Sequence, residues 1–170
     1  MKKLNLLKLL GLALGCAAIA AANPTKAAGH SRPFQAEFAG NAHPSPEGPC
    51  TLANWEAGQG EAAHLGATTW ADTETAYFLD CTPQTGPTGP AIAVDGTFTL
   101  TAANGDVIHG TFHTTGTFDP TTGVTVSGTY KFTSGTGRFV DVTGSGIITG
   151  SGSSAPPFAF VGTMTGDISY

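Results

Sequence analysis

The sequence is poor in charged residues, and most of those it has are acidic. Charged residues make up 11% of the chain, with twelve Asp and Glu against seven Lys and Arg. Because nucleic acids are held mainly through Lys and Arg on their phosphates, this balance argues against a nucleic-acid partner. Long apolar runs are also missing after residue 22, so we predict no transmembrane helix in the mature chain.

The motifs that identify the common enzyme classes are absent as well. There is no Gly-x-Ser-x-Gly, Gly-x-Gly-x-x-Gly, Cys-x-x-Cys, His-Glu-x-x-His or phosphate loop. His109 and His113 share one predicted strand face but stand about 13 Å apart, too far to bind one metal ion. We therefore predict no cofactor and no metal site, and we favour a protein without catalytic activity.

The amino terminus is typical of a bacterial secretion signal. Three lysines within the first eight residues lead into a short apolar run that ends in small residues. We predict that residues 1–22 are a signal peptide, cleaved after Ala20 or Ala22, and that residues 23–170 form one domain. Lipidation at Cys16 is the alternative. The mature protein is then secreted or periplasmic, or anchored at Cys16.

Two cysteines, Cys50 and Cys81, remain once residues 1–22 are removed. Exported proteins mature in oxidising compartments, where a lone pair of thiols is most simply a disulfide. We predict that these two cysteines are joined. The mature chain would carry four basic residues against twelve acidic ones, a formal charge of −8.

Strict alternation of apolar and polar residues dominates the second half of the chain. Residues 124–132 and 158–170 place apolar side chains at even positions and polar ones opposite, which indicates strands with one buried face. To keep Leu100 and Ile108 on the same face, the intervening loop must be residues 103–105, with Gly105 left-handed. A five-residue loop at 119–123 likewise sets Phe118 opposite Val124.

The first half of the chain is read as further strands at residues 34–38, 61–69 and 74–79. About eight antiparallel strands with short links predict a single all-β domain, an eight-stranded up-and-down barrel, with a two-sheet sandwich as the alternative. A closed barrel has no free edges, so we expect a monomer. This division places Asp72 and Glu74 at a hairpin tip around residues 70–73, where we interpret them as a solvated turn.

One segment carries a resemblance to a known group of proteins. It reads Ser134-Gly135-Thr136-Gly137-Arg138-Phe139-Val140-Asp141-Val142-Thr143-Gly144. It resembles the GTGRF segment of the allene oxide cyclase and dirigent-like barrels and of bacterial secreted barrels of that type. The resemblance implies an eight-stranded barrel with a central cavity, in which Phe139 would plug one end. It also implies, as an alternative function, a cyclase or isomerase acting inside the barrel.

Two tryptophans are the candidate ligand contacts. Trp55 and Trp70 could line a cavity mouth and stack on a ligand, or they could plug a barrel end. With no reactive cluster in view, we expect an exported non-catalytic barrel that binds a small apolar ligand or serves as an envelope component. A third hypothesis is a protein-binding module that uses the long segment 41–60.

The predicted register also brings an acid, a histidine and a hydroxyl together. Asp95 falls opposite His113, and His113 falls opposite Thr129, about 5 Å apart at the backbone. This row superficially suggests a nucleophilic triad. It shares its face with Thr97 and Lys131, the wet side of the sheet, so we predict an inert polar ladder.

Overall fold

The structure is a computed structural model, and it describes residues 29–170. The predicted signal peptide at residues 1–22, with its alternatives at Ala20, Ala22 and Cys16, lies outside the described residues. No helix within residues 29–170 has the length and apolar character needed to cross a bilayer.

Nearly all of the described chain is β-structure. The elements are β1 (Arg32–Ala42), β2 (Ser45–Pro46), β3 (Thr51–Ala62), β4 (Gly66–Phe78), β5 (Cys81–Thr82), β6 (Gly86–Pro87), β7 (Ala91–Ala102), β8 (Val107–Asp119), β9 (Gly123–Gly135), a 3-10 turn (Gly137–Phe139), β10 (Thr143–Gly152) and β11 (Ala159–Ser169).

Eight of these strands close into an antiparallel barrel. The order is β1-β11-β10-β9-β8-β7-β4-β3, and β3 pairs back with β1. The predicted eight-stranded barrel is therefore confirmed, and the sandwich alternative is wrong. The short β2 extends the sheet beside β3, and β5 and β6 form a separate ribbon.

The barrel wall keeps even-numbered side chains inside, except beyond the bulge between His109 and Gly110, where Gly135 at the end of β9 pairs with Ile108. Leu100 pairs with Ile108 and Phe118 pairs with Val124, as the turn argument predicted. Gly105 adopts φ +85°, the left-handed conformation that closes the three-residue loop. The register of the second half was thus determined by its turns.

In the first half, the strand predicted at residues 34–38 lies within β1, but the division of residues 61–79 at residues 70–73 is wrong. β4 runs unbroken through residues 70–73, and the actual turn lies at residues 63–65, between β3 and β4. Segment 41–60, which lies outside the predicted strands, contains most of β3. The prediction failed because acidic residues occupy inward positions of β3 and β4, which breaks the apolar alternation that marks a strand.

The disulfide between Cys50 and Cys81 is confirmed, with their Cα atoms 5.6 Å apart. Cys50 precedes β3 and Cys81 begins β5, just beyond β4, so the bond ties the two ends of one hairpin together. It lies at the end of the barrel where β4 and β8 finish and β9 begins, which we call the open end. The opposite end, which contains the turns at residues 63–65 and 103–105, is the closed end.

The closed end is filled by aromatic side chains. Phe34 packs edge-on against Phe132, with ring centroids 5.1 Å apart, and Tyr130 contacts both rings. Phe139 is completely buried and packs on Tyr170 at 4.8 Å. Each fully buried aromatic ring contributes about 2–3 kcal/mol of apolar burial, so this end supplies much of the core.

Candidate functional site

The open end of the barrel contains a cavity of about 440 Å³. Its walls are mostly apolar and include Phe38, Ala76, Val94 and Phe118. On the remaining wall, β10 and β11 contribute Ile148, Phe160 and Met164 together with three inward glycines, Gly150, Gly152 and Gly162. The cavity exists because these positions carry no side chain to fill the barrel.

Acidic side chains project into this cavity from β3 and β4. Glu56 pairs with Asp72, and Asn54 pairs with Glu74, so all four lie on the inner face as a compact block. Glu56, Asp72 and Glu74 are hereafter called the carboxyl cluster. Asp72 is only 7% exposed. The interpretation of Asp72 and Glu74 as a solvated turn is therefore wrong.

Hydrogen bonds hold the cluster in a defined arrangement. The backbone N–H of His43 donates to Asn54 Oδ1 at 2.9 Å, which turns the amide nitrogen of Asn54 towards the acids. That nitrogen donates to Glu74 Oε1 at 2.9 Å and to Glu56 Oε1 at 3.2 Å. Asp72 accepts from the Glu56 backbone at 3.0 Å and from Trp70 Nε1 at 3.1 Å.

Burial raises the pKa values of these acids above those of exposed carboxyl groups. Loss of hydration, reinforced by repulsion from Asp72 and Glu74, raises the pKa of Glu56 to about 9. Loss of hydration and the charge of Glu74 raise the pKa of Asp72 to about 8. Burial also raises the pKa of Glu74. Near neutral pH the cavity therefore holds neutral carboxylic acids rather than a full set of charges.

A hydroxyl without a partner lies in the same cavity. Thr114 is 1% exposed, and no hydrogen bond within the described chain reaches its Oγ1 atom. It lines the cavity from β8, an inward position where most neighbours are apolar. A buried hydroxyl left unsatisfied costs about 1–3 kcal/mol, so it is typical of a position where a ligand can complete the bonding.

The two candidate tryptophans occupy different faces of the wall. Trp70 is buried, lines the cavity and stacks on Phe98 with ring centroids 5.0 Å apart. Trp55 is 49% exposed and stacks on His43 at 3.6 Å on the outer face. Trp70 thus separates the cavity from the packed closed end, whereas Trp55 does not line the cavity.

The polar row predicted on the outer face is also present. His113 Nδ1 lies 2.7 Å from Asp95 Oδ1, and each side chain is 58% exposed. Thr129 pairs with His113 in the register, but no hydrogen bond joins their side chains. The row lines an open groove on the outer wall that Trp55 and Lys131 also line.

The histidines of this face have separate partners. His109 Nδ1 lies 3.0 Å from the hydroxyl of Thr99. This contact is four residues along β8 from His113 and its partner Asp95. Across residues 29–170, no group of three or more His, Cys, Asp or Glu side chains is arranged to hold a metal ion.

Sequence reasoning missed the carboxyl cluster although the signal was available. The inward parity deduced for residues 124–132 is even, and Glu56, Asp72 and Glu74 are all even-numbered. Extending that parity backwards through the turns would have placed them inside.

No protein-family model, curated protein or solved structure matches this chain.

Proposed function

We propose that the barrel binds a small, largely apolar molecule in its open end, with a polar group of that molecule against the carboxyl cluster. The observation that carries this proposal is an apolar cavity of about 440 Å³ with one polar patch on its wall. Concave, mostly apolar sites with a few convergent polar groups are typical of small-molecule binding. In this role the protein is an exported binding protein without catalytic activity.

The disulfide supports an exported location. A bond between Cys50 and Cys81 is compatible with an oxidising extracellular or periplasmic compartment. Export by a signal peptide at residues 1–22, with lipidation at Cys16 as the alternative, belongs to the same proposal.

A cyclase or isomerase acting inside the barrel is the second candidate. It is supported by the raised pKa of Asp72, because a neutral carboxylic acid in an apolar cavity can donate a proton to a reacting group. The resemblance of residues 134–144 to the allene oxide cyclase and dirigent-like barrels agrees with it. A ligand recovered unchanged from the protein favours binding, whereas a product that the Asp72→Asn variant fails to form favours catalysis.

The binding proposal is tested with a neutral apolar fluorophore, N-phenyl-1-naphthylamine, titrated into the purified protein. We expect saturable enhancement of its emission. The Gly162→Phe variant should abolish it, because a Cβ at Gly162 meets its nearest atom at 3.6 Å and the ring can extend into the cavity.

The matched control is Thr165→Phe, an exposed position on the same strand. It adds the same ring to the outer face and should bind the fluorophore as the unmodified protein does. Thermal unfolding of both variants verifies that they are folded. Equal binding by unmodified protein and Gly162→Phe would contradict the proposal.

A further inference from the structure

We propose that the polar group recognised in the cavity is an organic ammonium, so that the ligand is a hydrophobic amine whose cationic nitrogen lies among Glu56, Asp72 and Glu74. This inference rests on the proposed function and names its ligand class. It requires more than a set of acids, and three further features of the cavity support it.

The first feature is the absence of any competing positive charge at the site. Within the described chain, no Lys, Arg or His lines the cavity. The inward positions of β1, β7 and β8 that line it are Phe38, Ala42, Ile92, Val94, Phe112, Thr114 and Phe118. The inward Tyr130 on β9 also stays neutral, because burial, with a smaller effect of Asp167, raises its pKa to about 12. A ligand cation therefore meets acids, the neutral amide of Asn54, hydroxyls and apolar groups.

The second feature is the unpartnered hydroxyl of Thr114. It lines the same cavity from β8, whereas the acids project from β3 and β4. An ammonium group has three donors, and the carboxyl cluster together with this hydroxyl offers acceptors from separate strands. A carboxylate ligand has no donors for these acceptors, and its charge would lose hydration without gaining a positive partner.

The aromatic surface beside the cluster also suits a cation. Trp70 donates to Asp72 through its indole nitrogen, and Phe38 lies 5.0 Å from the Trp70 ring. Aromatic faces attract organic cations, and they pack well on an apolar body attached to the nitrogen. The site thus combines charge complementarity with apolar burial in one small volume.

Binding of an ammonium should release protons, with no covalent step. The amine enters as its cation and stays protonated, and at least one acid of the cluster loses its proton to solvent. Because the empty site holds neutral acids near neutral pH, affinity should rise about tenfold per pH unit for each proton released. The rise should level off as pH passes the raised pKa values of Glu56 and Asp72.

The experiment compares three probes of one shape by calorimetry: 2-phenylethylamine, 2-phenylethanol and 3-phenylpropanoate. We expect the amine to bind at least about tenfold more tightly than the alcohol, and the carboxylate to bind most weakly. Titrations at pH 7 in two buffers with different ionisation enthalpies should show proton release when the amine binds and none when the alcohol or the carboxylate binds.

Neutral variants identify the groups responsible. Glu56→Gln combined with Asp72→Asn should remove the preference for the amine and its pH dependence, while the alcohol binds within about twofold of its original affinity. Glu61→Gln, on the exposed face of β3, is the matched control and should change neither. Retained alcohol binding also shows that the double variant is folded.

Three outcomes would overturn the inference. Equal affinity for amine and alcohol would show that the cluster acts as a neutral hydrogen-bond donor, and the proposed function would survive. Tighter binding of calcium chloride than of the amine would assign the cluster to an inorganic cation. Failure of all three probes, together with failure of the neutral fluorophore, would reject the binding function itself.

Discussion

The two ends of the barrel share the same strands but differ in how their interiors are filled. At the closed end Phe34, Phe132 and Phe139 fill the interior, and each is at most 2% exposed. At the open end three inward positions of β10 and β11 are glycines, and the opposite wall carries the carboxyl cluster. The closed end is fully packed, whereas the open end contains an unfilled cavity with ionisable groups buried in its wall.

The closed end therefore contributes mainly to stability, whereas the open end is where we propose that a ligand binds. A packed aromatic core stabilises the fold and leaves no room for a ligand. A cavity lined by buried acids costs stability, because both the missing contacts and the lost hydration of the acids are unfavourable. The disulfide between Cys50 and Cys81 lies at this weaker end, where it constrains the strands that carry the cluster.

The largest expected effect comes from truncating the closed end. Phe139→Ala should lower the free energy of unfolding by about 3–5 kcal/mol, because it creates a cavity in a fully packed region. Phe118→Ala at the open end should cost about 1–2 kcal/mol, since Phe118 is half-buried and borders existing space. Urea denaturation of both variants measures the difference. Equal losses would mean that the two ends are packed alike.

The second half of the chain was more predictable than the first. Loops at residues 103–105 and 119–123 fixed the register of β7, β8 and β9 from parity alone, because a slip by one residue would expose every apolar side chain. The β3–β4 hairpin in the first half resisted prediction because acidic residues at its inward positions break the apolar alternation. Asp72 and Glu74 resemble turn residues when the sequence is read locally. Their inward orientation, and that of Glu56, follows only when the even parity of the second half is carried back through the turns.

The buried acids of the open end should make the free energy of unfolding depend on pH, and the sign of that dependence can be derived. A carboxyl whose pKa is raised on folding binds more protons in the folded state than in the unfolded one. Its contribution is therefore complete below its unfolded pKa and is lost as pH rises through the folded value. For Glu56 that window extends from about 4.5 to about 9. We expect stability to fall across it, by at most about 1.4 kcal/mol per pH unit per group.

The Glu56→Gln variant tests this assignment. The amide cannot ionise and keeps an oxygen for Asn54, so the variant should be more stable than the original protein by about 1–2 kcal/mol at pH 8 and equal to it near pH 4. Urea titrations at several pH values measure this. Glu61→Gln on the outer face is the control and should track the original protein. If Glu56→Gln lost stability at pH 8, the cluster would contribute to the fold and the contrast between the ends would weaken.

The smallest effect is expected outside the barrel altogether. If binding resides in the open end, the ion pair of Asp95 and His113 on the outer wall is dispensable, because both side chains are more than half exposed. Exposed pairs contribute little, so His113→Ala should change the free energy of unfolding by less than about 1 kcal/mol. It should also leave fluorophore and amine binding unchanged. The row would become a nucleophilic site instead if a hydroxyl-directed reagent labelled Thr129 and His113→Ala abolished that labelling. Mass spectrometry of labelled protein decides between these outcomes, and we expect unmodified Thr129.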